Sequence, residues 1–276
     1  MEPVIGGQAV IEGVMMKNQE KIGIAILKNN KIQSTMFYMN ILPSWKKIPL
    51  LRGVVVFIEL LYIGTKSLLH SVEAQAETND EKISNLEIGL TLASSVLFGV
   101  ILFIGIPFLL SHLLTEDKLW FNIIDGVFRL TVFILYLLII SKMKDIQRVF
   151  QFHGAEHKAI NCYESGEKLT VANCMKASRF HPRCGTSFVL IVLVISIVVF
   201  SLILTEAWYF KFLSRIILIP VIGSISYEIL RLSAKHQKNK MFQLVIKPGL
   251  MLQRITTKEP DEQQMKVGIE ALKLVL

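Results

Sequence analysis

Ile88-Gly-Leu-Thr-Leu-Ala-Ser-Ser-Val-Leu-Phe-Gly-Val-Ile-Leu-Phe-Ile-Gly-Ile-Pro-Phe-Leu-Leu-Ser-His-Leu-Leu114 carries no acidic or basic charge anywhere along its length. A helix needs about 20 residues to cross the hydrocarbon core of a bilayer, and this run exceeds that. Three more runs resemble it: Leu119–Ser141, despite Asp125 and Arg129; Ser187–Leu204; and Phe210–Leu230, weakened by Lys211, Arg215 and Glu228. The short link 115–118 forces the first two into a helical hairpin. With 52% hydrophobic residues and a mean hydropathy of +0.51, the chain reads as a polytopic α-helical membrane protein with about four transmembrane helices.

Charge orients the bundle. Residues 1–87 hold nine Lys and Arg, 142–186 hold eight and 231–276 hold nine, whereas 115–118 holds only Lys118 and 205–209 holds none. By the positive-inside rule the protein is expected in the cytoplasmic membrane, multi-pass, with both termini and the 142–186 loop cytoplasmic. Residues 1–45 show no basic start followed by an apolar run and a small-residue cleavage site, so no signal peptide is expected. The net charge of +8 suits loops that meet anionic lipid. Membrane lipids and other membrane proteins are therefore the expected partners. No clustered basic face with interleaved aromatics points to nucleic acid. Three cysteines, Cys162, Cys174 and Cys184, are too few and too odd a count for a disulfide framework.

The polar parts read as a small cytoplasmic α+β portion. Over 1–45, Gln8–Met16, Ile22–Leu27 and Ile32–Met39 read as a three-stranded meander with a tight turn at Asn29-Asn30. Residues 46–87 read as an interfacial or amphipathic helix, not a span because its apolar run Ile48–Gly64 is short and carries Arg52 and Glu59, followed by a polar linker over Thr78–Glu87. Residues 88–141 form the transmembrane hairpin, 142–186 a cytoplasmic loop and 187–230 the second pair of spans. The tail, 231–276, reads as a strand Met241–Ile246, a turn Lys247-Pro248-Gly249, a possible second strand Leu250–Ile255, and a helix from Thr257 to about Lys273.

The chemistry concentrates in the 142–186 loop. His153-Gly-Ala-Glu156-His157 has the His-x-x-Glu-His order of an inverted zincin. On a helix expected from Met143 to Glu164, the two imidazoles stand one turn apart with Glu156 on nearly the same face. Two histidines hold an ion, and the carboxylate beside them takes the proton of the water it activates. A catalytic zinc asks for a third protein ligand. His181, then Cys184, spaced His-x-x-Cys around Pro182, are the candidates in that order. Glu164 sits about 16 Å further along the helix axis, too far to share one ion. Imidazole with thiolate suits zinc among divalent cations. Arg179 and Arg183 beside the ligand turn could hold an anionic group. Glu12 is a structural acid or a further contact, and Arg52 a lipid-phosphate contact or an interfacial anchor. Asp125 and Arg129 suit an internal i,i+4 pair, and Glu228 and Arg231 could snorkel or pair.

Gly6-Gly7-Gln8-Ala9-Val10-Ile11-Glu12-Gly13-Val14-Met15-Met16 closely resembles the N-terminal signature of the YqhQ family of bacterial membrane proteins, a domain of unknown function. The resemblance continues through Leu51-Arg52-Gly53, Phe152–Lys158, His181–Ser187, Ser226-Tyr227-Glu228 and Pro248–Thr257. Met251 departs from it, where relatives carry a bulkier aromatic. The resemblance implies a predicted metal-dependent enzyme, without a substrate, and treats the His/Glu and His/Cys stretches as one unit. The expected function is a metal-dependent hydrolase at the cytoplasmic membrane face, acting on a lipid-linked or membrane substrate, with Glu156 as general base. The alternative is a non-enzymatic scaffold or assembly factor with a structural metal. A transporter working through Asp125, Arg129 and Glu228 is a third reading.

Overall fold

The N-terminal strands show how the chain builds its polar half. The computed structural model describes residues 5–39, 48, 51–76, 84–203, 205, 207–236 and 239–276. Four antiparallel strands follow in sequence order, β1 (Gly6–Val10), β2 (Gly13–Asn18), β3 (Lys21–Lys28) and β4 (Lys31–Tyr38). One strand more forms than expected, because Gln8–Met16 folds back on itself at Ile11-Glu12. Glu12 adopts a left-handed φ of 53°, and its carboxylate is clamped by both arms of Arg148. That long-range clamp stabilises a turn the local sequence does not advertise. At Asn29-Asn30 both φ values are positive, 50° and 57°, the geometry of a two-residue hairpin turn.

Alternation along the strands gives the sheet two apolar faces. Val10, Met15, Ile22, Ile24 and Ile26 gather with Ile63 of α1 (Leu51–Gln75) on one side. Val14, Met16, Ala25 and Leu27 gather on the other, under α5 (Lys144–Glu164) and α11 (Glu262–Lys273). Both faces of β3 are covered, which is why Ile22–Leu27 is apolar without a break.

The protein is mostly helical. Among the described residues three helices are long and apolar enough to cross a membrane, or four if one bent pair is a single span. Leu86–Leu114 joins α2 (Asn85–Val100) to α3 (Ile106–Leu114) through a π-helical turn at Ile101–Gly105. Pro107 follows that turn. Its ring crowds the carbonyl four residues back, and the wider turn relieves the clash. Of the linker expected before this rod, only 84–87 fall within the described residues, and there Ser84 and Glu87 form a capping box. The second span is α4 (Lys118–Ile140). The third apolar run forms α7 (Gly185–Ser201), which at 17 residues is not among these long helices, and the fourth is the bent pair α8 (Trp208–Ile217) and α9 (Ile219–Lys235). These two meet at 48° beside Pro220. The remaining long apolar helix is α1, which the sequence reading kept out of the bilayer. By length and composition it qualifies, yet its second half is packed on the sheet.

Asp125 lies between Arg129 at 3.0 Å and Arg215 at 3.3 Å. Arg215 also donates to Asn122 at 2.7 Å. An internal ion pair thus becomes a buried cluster that joins α4 to α8.

The tail departs from expectation. Met241–Ile255 forms no strands; it is one helix, α10 (Lys240–Thr256), with Pro248 inside it. Ile246, Gly249, Leu252, Gln253 and Thr256 are buried, a spacing of three or four residues that only a helix directs to one face. Gly249 lies so close to Ser187 of α7 that a Cβ would come within 2.4 Å of its Oγ. Pro248 costs this helix one backbone hydrogen bond. The last helix starts later than expected, capped by Asp261 rather than Thr257, with Gln264 completing the box.

Candidate metal centre

Helix α5 presents His153, Glu156 and His157 to a cavity enclosed by the sheet, α1, α7 and α9. Small residues within the motif let the surrounding elements close in. A Cβ on Gly154 would fall 1.9 Å from the carbonyl oxygen of Lys258, so the segment after α10 crosses α5 only because residue 154 is glycine. Ala155 meets Gly268 of α11 in the same way, with a Cβ on Gly268 falling 3.0 Å from the Ala155 carbonyl oxygen. On the sheet side, Gly7 lies against Met15, Met16 and Glu156, and its backbone favours the charged form of the Glu156 carboxyl.

One ligand atom from each of His153, His157 and Cys184 lies within 4.8 Å of the other two. The Cys184 Sγ is 3.3 Å from His153 Nε2, and the two imidazole centroids are 4.4 Å apart. Each ring is fixed from behind by a carbonyl: His153 Nδ1 is 2.8 Å from the Thr256 oxygen, and His157 Nδ1 is 2.6 Å from the Arg179 oxygen. A carbonyl can only accept, so Nδ1 carries the proton in both rings, and the neutral ring offers its Nε2 lone pair to the shared space. Backbone carbonyls behind histidines are the usual outer support of a metal site. The donor chemistry fits a divalent cation.

His181, the first choice for third donor from sequence, stands differently. Its Nδ1 accepts from the Arg183 N–H at 3.3 Å, so its Nε2 is the protonated nitrogen and faces Glu164 at 3.4 Å. Both nitrogens are occupied, and the ring centroid is 5.8 Å from that of His157. Burial holds this imidazole below its usual pKa, against the pull of Glu164. The geometry therefore reverses the order of the two candidates and brings Cys184 to the histidine pair.

Glu156 is buried, with Oε2 3.9 Å from His153 Nε2 and no hydrogen-bond partner for that oxygen. Burial pushes its carboxyl up to about 7, with His153 and the Gly7 backbone pulling the other way. A carboxyl near neutrality beside two imidazoles is suited to taking and returning a proton.

Three of the proposed contact residues have protein partners. Arg179 donates to the Thr257 carbonyl at 2.8 Å and lies 3.6 Å from Glu259; it does not line the cavity. Glu12 is engaged by Arg148 at the β1–β2 turn, a structural role. Arg52 is engaged by both oxygens of Glu228, so α1 is locked to α9 instead of offering a phosphate contact. Glu228 thereby pairs with Arg52, not Arg231. Arg183 does line the cavity and binds Glu164 through one arm.

Sequence reasoning passed over the residues that hold the two halves together. Gln253, fully buried, accepts from the His181 N–H and donates to the His181 carbonyl, each at 2.9 Å, and to Ser187 Oγ at 3.1 Å. Lys158 donates to the carbonyls of Met175 and Ala177 at 2.8 and 2.9 Å, and Asn161 donates to those of Ser178 and Phe180. These bonds strap the loop before Cys184 onto α5. The available signal was a polar residue on the apolar face of a helix, Gln253 between Leu252 and Ile255.

Residues 48–276 match a family described as a protein of unknown function, DUF1385. The uncharacterized protein YqhQ of Bacillus subtilis (strain 168) is 37% identical over 300 residues, covering 99% of this chain and 92% of that protein. No solved structure matches the chain. On that near-complete coverage, the chain belongs to the YqhQ family.

Proposed function

We propose that this protein is a metal-dependent hydrolase working at the cytoplasmic face of the membrane, with His153, His157 and Cys184 holding a divalent cation, zinc above others. The observation that carries the reading is the convergence of three donor atoms within 4.8 Å, two of them imidazole nitrogens set in one tautomer by backbone carbonyls. A bound ion would supply Lewis-acid polarisation of substrate and water. Glu156 then takes the proton of the attacking water and delivers it to the leaving group. Its unpartnered oxygen faces that task, and the Gly7 backbone favours its charged form. Three protein donors beside a cavity leave room for a reacting group, which supports a catalytic site over a closed structural one. The excess of Lys and Arg in 142–186 supports the cytoplasmic side.

The test is elemental analysis of protein extracted in mild detergent. Wild type is expected to hold about one equivalent of metal, as a single tetrahedral site requires. His153→Ala and Cys184→Ala are expected to lose it. Glu156→Gln is expected to keep the metal and lose turnover. A metal-free wild type, or unchanged metal content in the Cys184 variant, overturns the ligand set.

A further inference from the structure

The cavity beside the candidate centre extends well beyond the donors. It measures about 620 Å³, within the range of about 300–1,000 Å³ that encloses one small ligand. Its walls differ along their length. Helix α7 contributes Arg183 and Cys184 just before its start and Phe188 one turn further in; α9 contributes Arg231 near its end and Tyr227 one turn earlier. Helix α1 adds Val56, Phe57 and Leu60, and Phe57 meets Phe188 with ring centroids 6.2 Å apart. Arg183, just before α7, and Arg231, near the end of α9, thus each have an aromatic roughly one helical turn further along the same wall of the cavity.

The charges on this lining are unequally satisfied. Lys17 stands 3.9 Å from Glu59, Arg183 holds Glu164, and Glu20 also has a partner. Among the described residues Arg231, which is exposed at the cavity rim, makes no ion pair or hydrogen bond, and on the lining deeper in one oxygen of the buried Glu156 also has no hydrogen-bond partner. A cation left over at the rim, with an aromatic and aliphatic slot behind it, selects a ligand with an anionic head and an apolar tail.

We infer that the cavity binds a single-chain anionic amphiphile, its phosphate or carboxylate head beside Arg231 and the histidine–cysteine cluster and its chain between α1, α7 and α9. One chain fits the volume; the two chains of a bilayer phospholipid exceed it. As a substrate assignment this rests on the hydrolase reading, whereas as a binding site it stands on the cavity alone.

The test uses dodecyl phosphate bearing a diazirine in its chain, with full-length protein in phosphatidylcholine nanodiscs, both chelator-treated and zinc-loaded. Photolabelling is expected within 53–60, 185–188 and 227–231 in both forms. Unlabelled dodecyl phosphate should compete, while inorganic phosphate and dodecyltrimethylammonium should not. Arg231→Gln is expected to cut cavity labelling about tenfold, the scale of losing one charge-assisted hydrogen bond, and Arg231→Lys to retain most of it. Labelling spread over the lipid-facing surfaces of α2 and α4, indifference to Arg231→Gln, or equal competition by the cationic chain overturns the proposal. Competition by inorganic phosphate alone does so too, since it would mean a free anion site. Labelled protein that binds no zinc would remove the hydrolase reading and leave this one; zinc-loaded protein without cavity labelling would do the reverse.

Discussion

At the scale of single residues, the site depends on which atoms face away from it. Thr256 and Arg179 contribute only carbonyl oxygens, yet these decide which nitrogen of His153 and His157 is free. Glu164 does the corresponding work for His181. Burial pushes the Glu164 carboxyl up, but hydrogen bonds from His181 and Arg183 outweigh it, leaving its pKa below the usual 4.5. A carboxyl lowered on folding contributes stability above its unfolded pKa, and that contribution is lost as pH falls through the folded value. Glu164→Gln should therefore lower the thermal midpoint in detergent at pH 7.5, and the gap from wild type should close as pH falls below about 4.5. The side chain is 38% exposed, so solvent screening keeps the effect modest. A gap unchanged across the pH range would show that the carboxylate charge is not what matters. The spacing of His153, Glu156 and His157 is legible in the sequence because one helical turn sets it. The choice between His181 and Cys184 is not, because it follows from an Arg183 N–H, a Glu164 carboxylate and a Gln253 amide brought from three separate elements.

At the scale of elements, close approach is purchased with glycine, and its positions mark where helices cross. Inside the bundle, a Cβ on Gly126 of α4 would lie 2.2 Å from Cγ1 and 2.9 Å from Cδ1 of Ile197 on α7. Small residues of this kind let transmembrane helices touch backbone to side chain. Gly126→Ala should cost about 1–3 kcal/mol, the usual range for overpacking. Adding Ile197→Ala removes both clashing carbons, so the double variant should melt above the Gly126→Ala single variant in a detergent unfolding assay. If the two losses simply add, the helices do not meet here as described. The same physics explains the misread tail. Met241–Ile255 reads locally as two strands around Pro248-Gly249, since that pair signals a turn. Its true partner is Ser187 on a helix more than fifty positions upstream, and only that contact shows Gly249 to be a crossing point. The apolar runs at 88–114 and 119–141 are legible as long helices because continuous apolar length is itself a local property, whereas the run at 187–204 gives a shorter helix and α1 qualifies by length unexpectedly.

At the scale of the whole molecule, packing limits which of the apolar helices can cross a membrane together. The sheet, α5 and α11 share one core, and Asn18 bonds the Val275 carbonyl at 3.0 Å, so the two ends of the chain occupy one side. Between the sheet and α5 lie α1, the α2–α3 rod and α4, each long and apolar enough to cross. Three crossings would leave the sheet on the side opposite α5, where Gly7 could not reach Glu156. In the topology we propose, the α2–α3 rod and α4 cross and α1 stops short. Gln8 donates to its Gly64 carbonyl at 3.0 Å, Ser71 accepts from Ile11 at 3.1 Å, and Gln75 donates to the Leu27 carbonyl. Only its first half is left to enter the bilayer. The sequence carries part of this signal: the second half of α1 buries Gly64, Ser67 and Ser71, small and polar residues, where the first half exposes Ile58, Leu60 and Leu61. Single cysteines at exposed positions test the argument, since Cys162, Cys174 and Cys184 are buried and contribute little background. With a membrane-impermeant maleimide, Glu116→Cys should label in intact cells, whereas Lys31→Cys and Lys266→Cys should label only after the membrane is opened, as the lone Lys118 in 115–118 and eight basic residues in 142–186 imply. Labelling of positions 31 and 266 from opposite sides would overturn this topology, and with it the cavity between the sheet and the membrane helices.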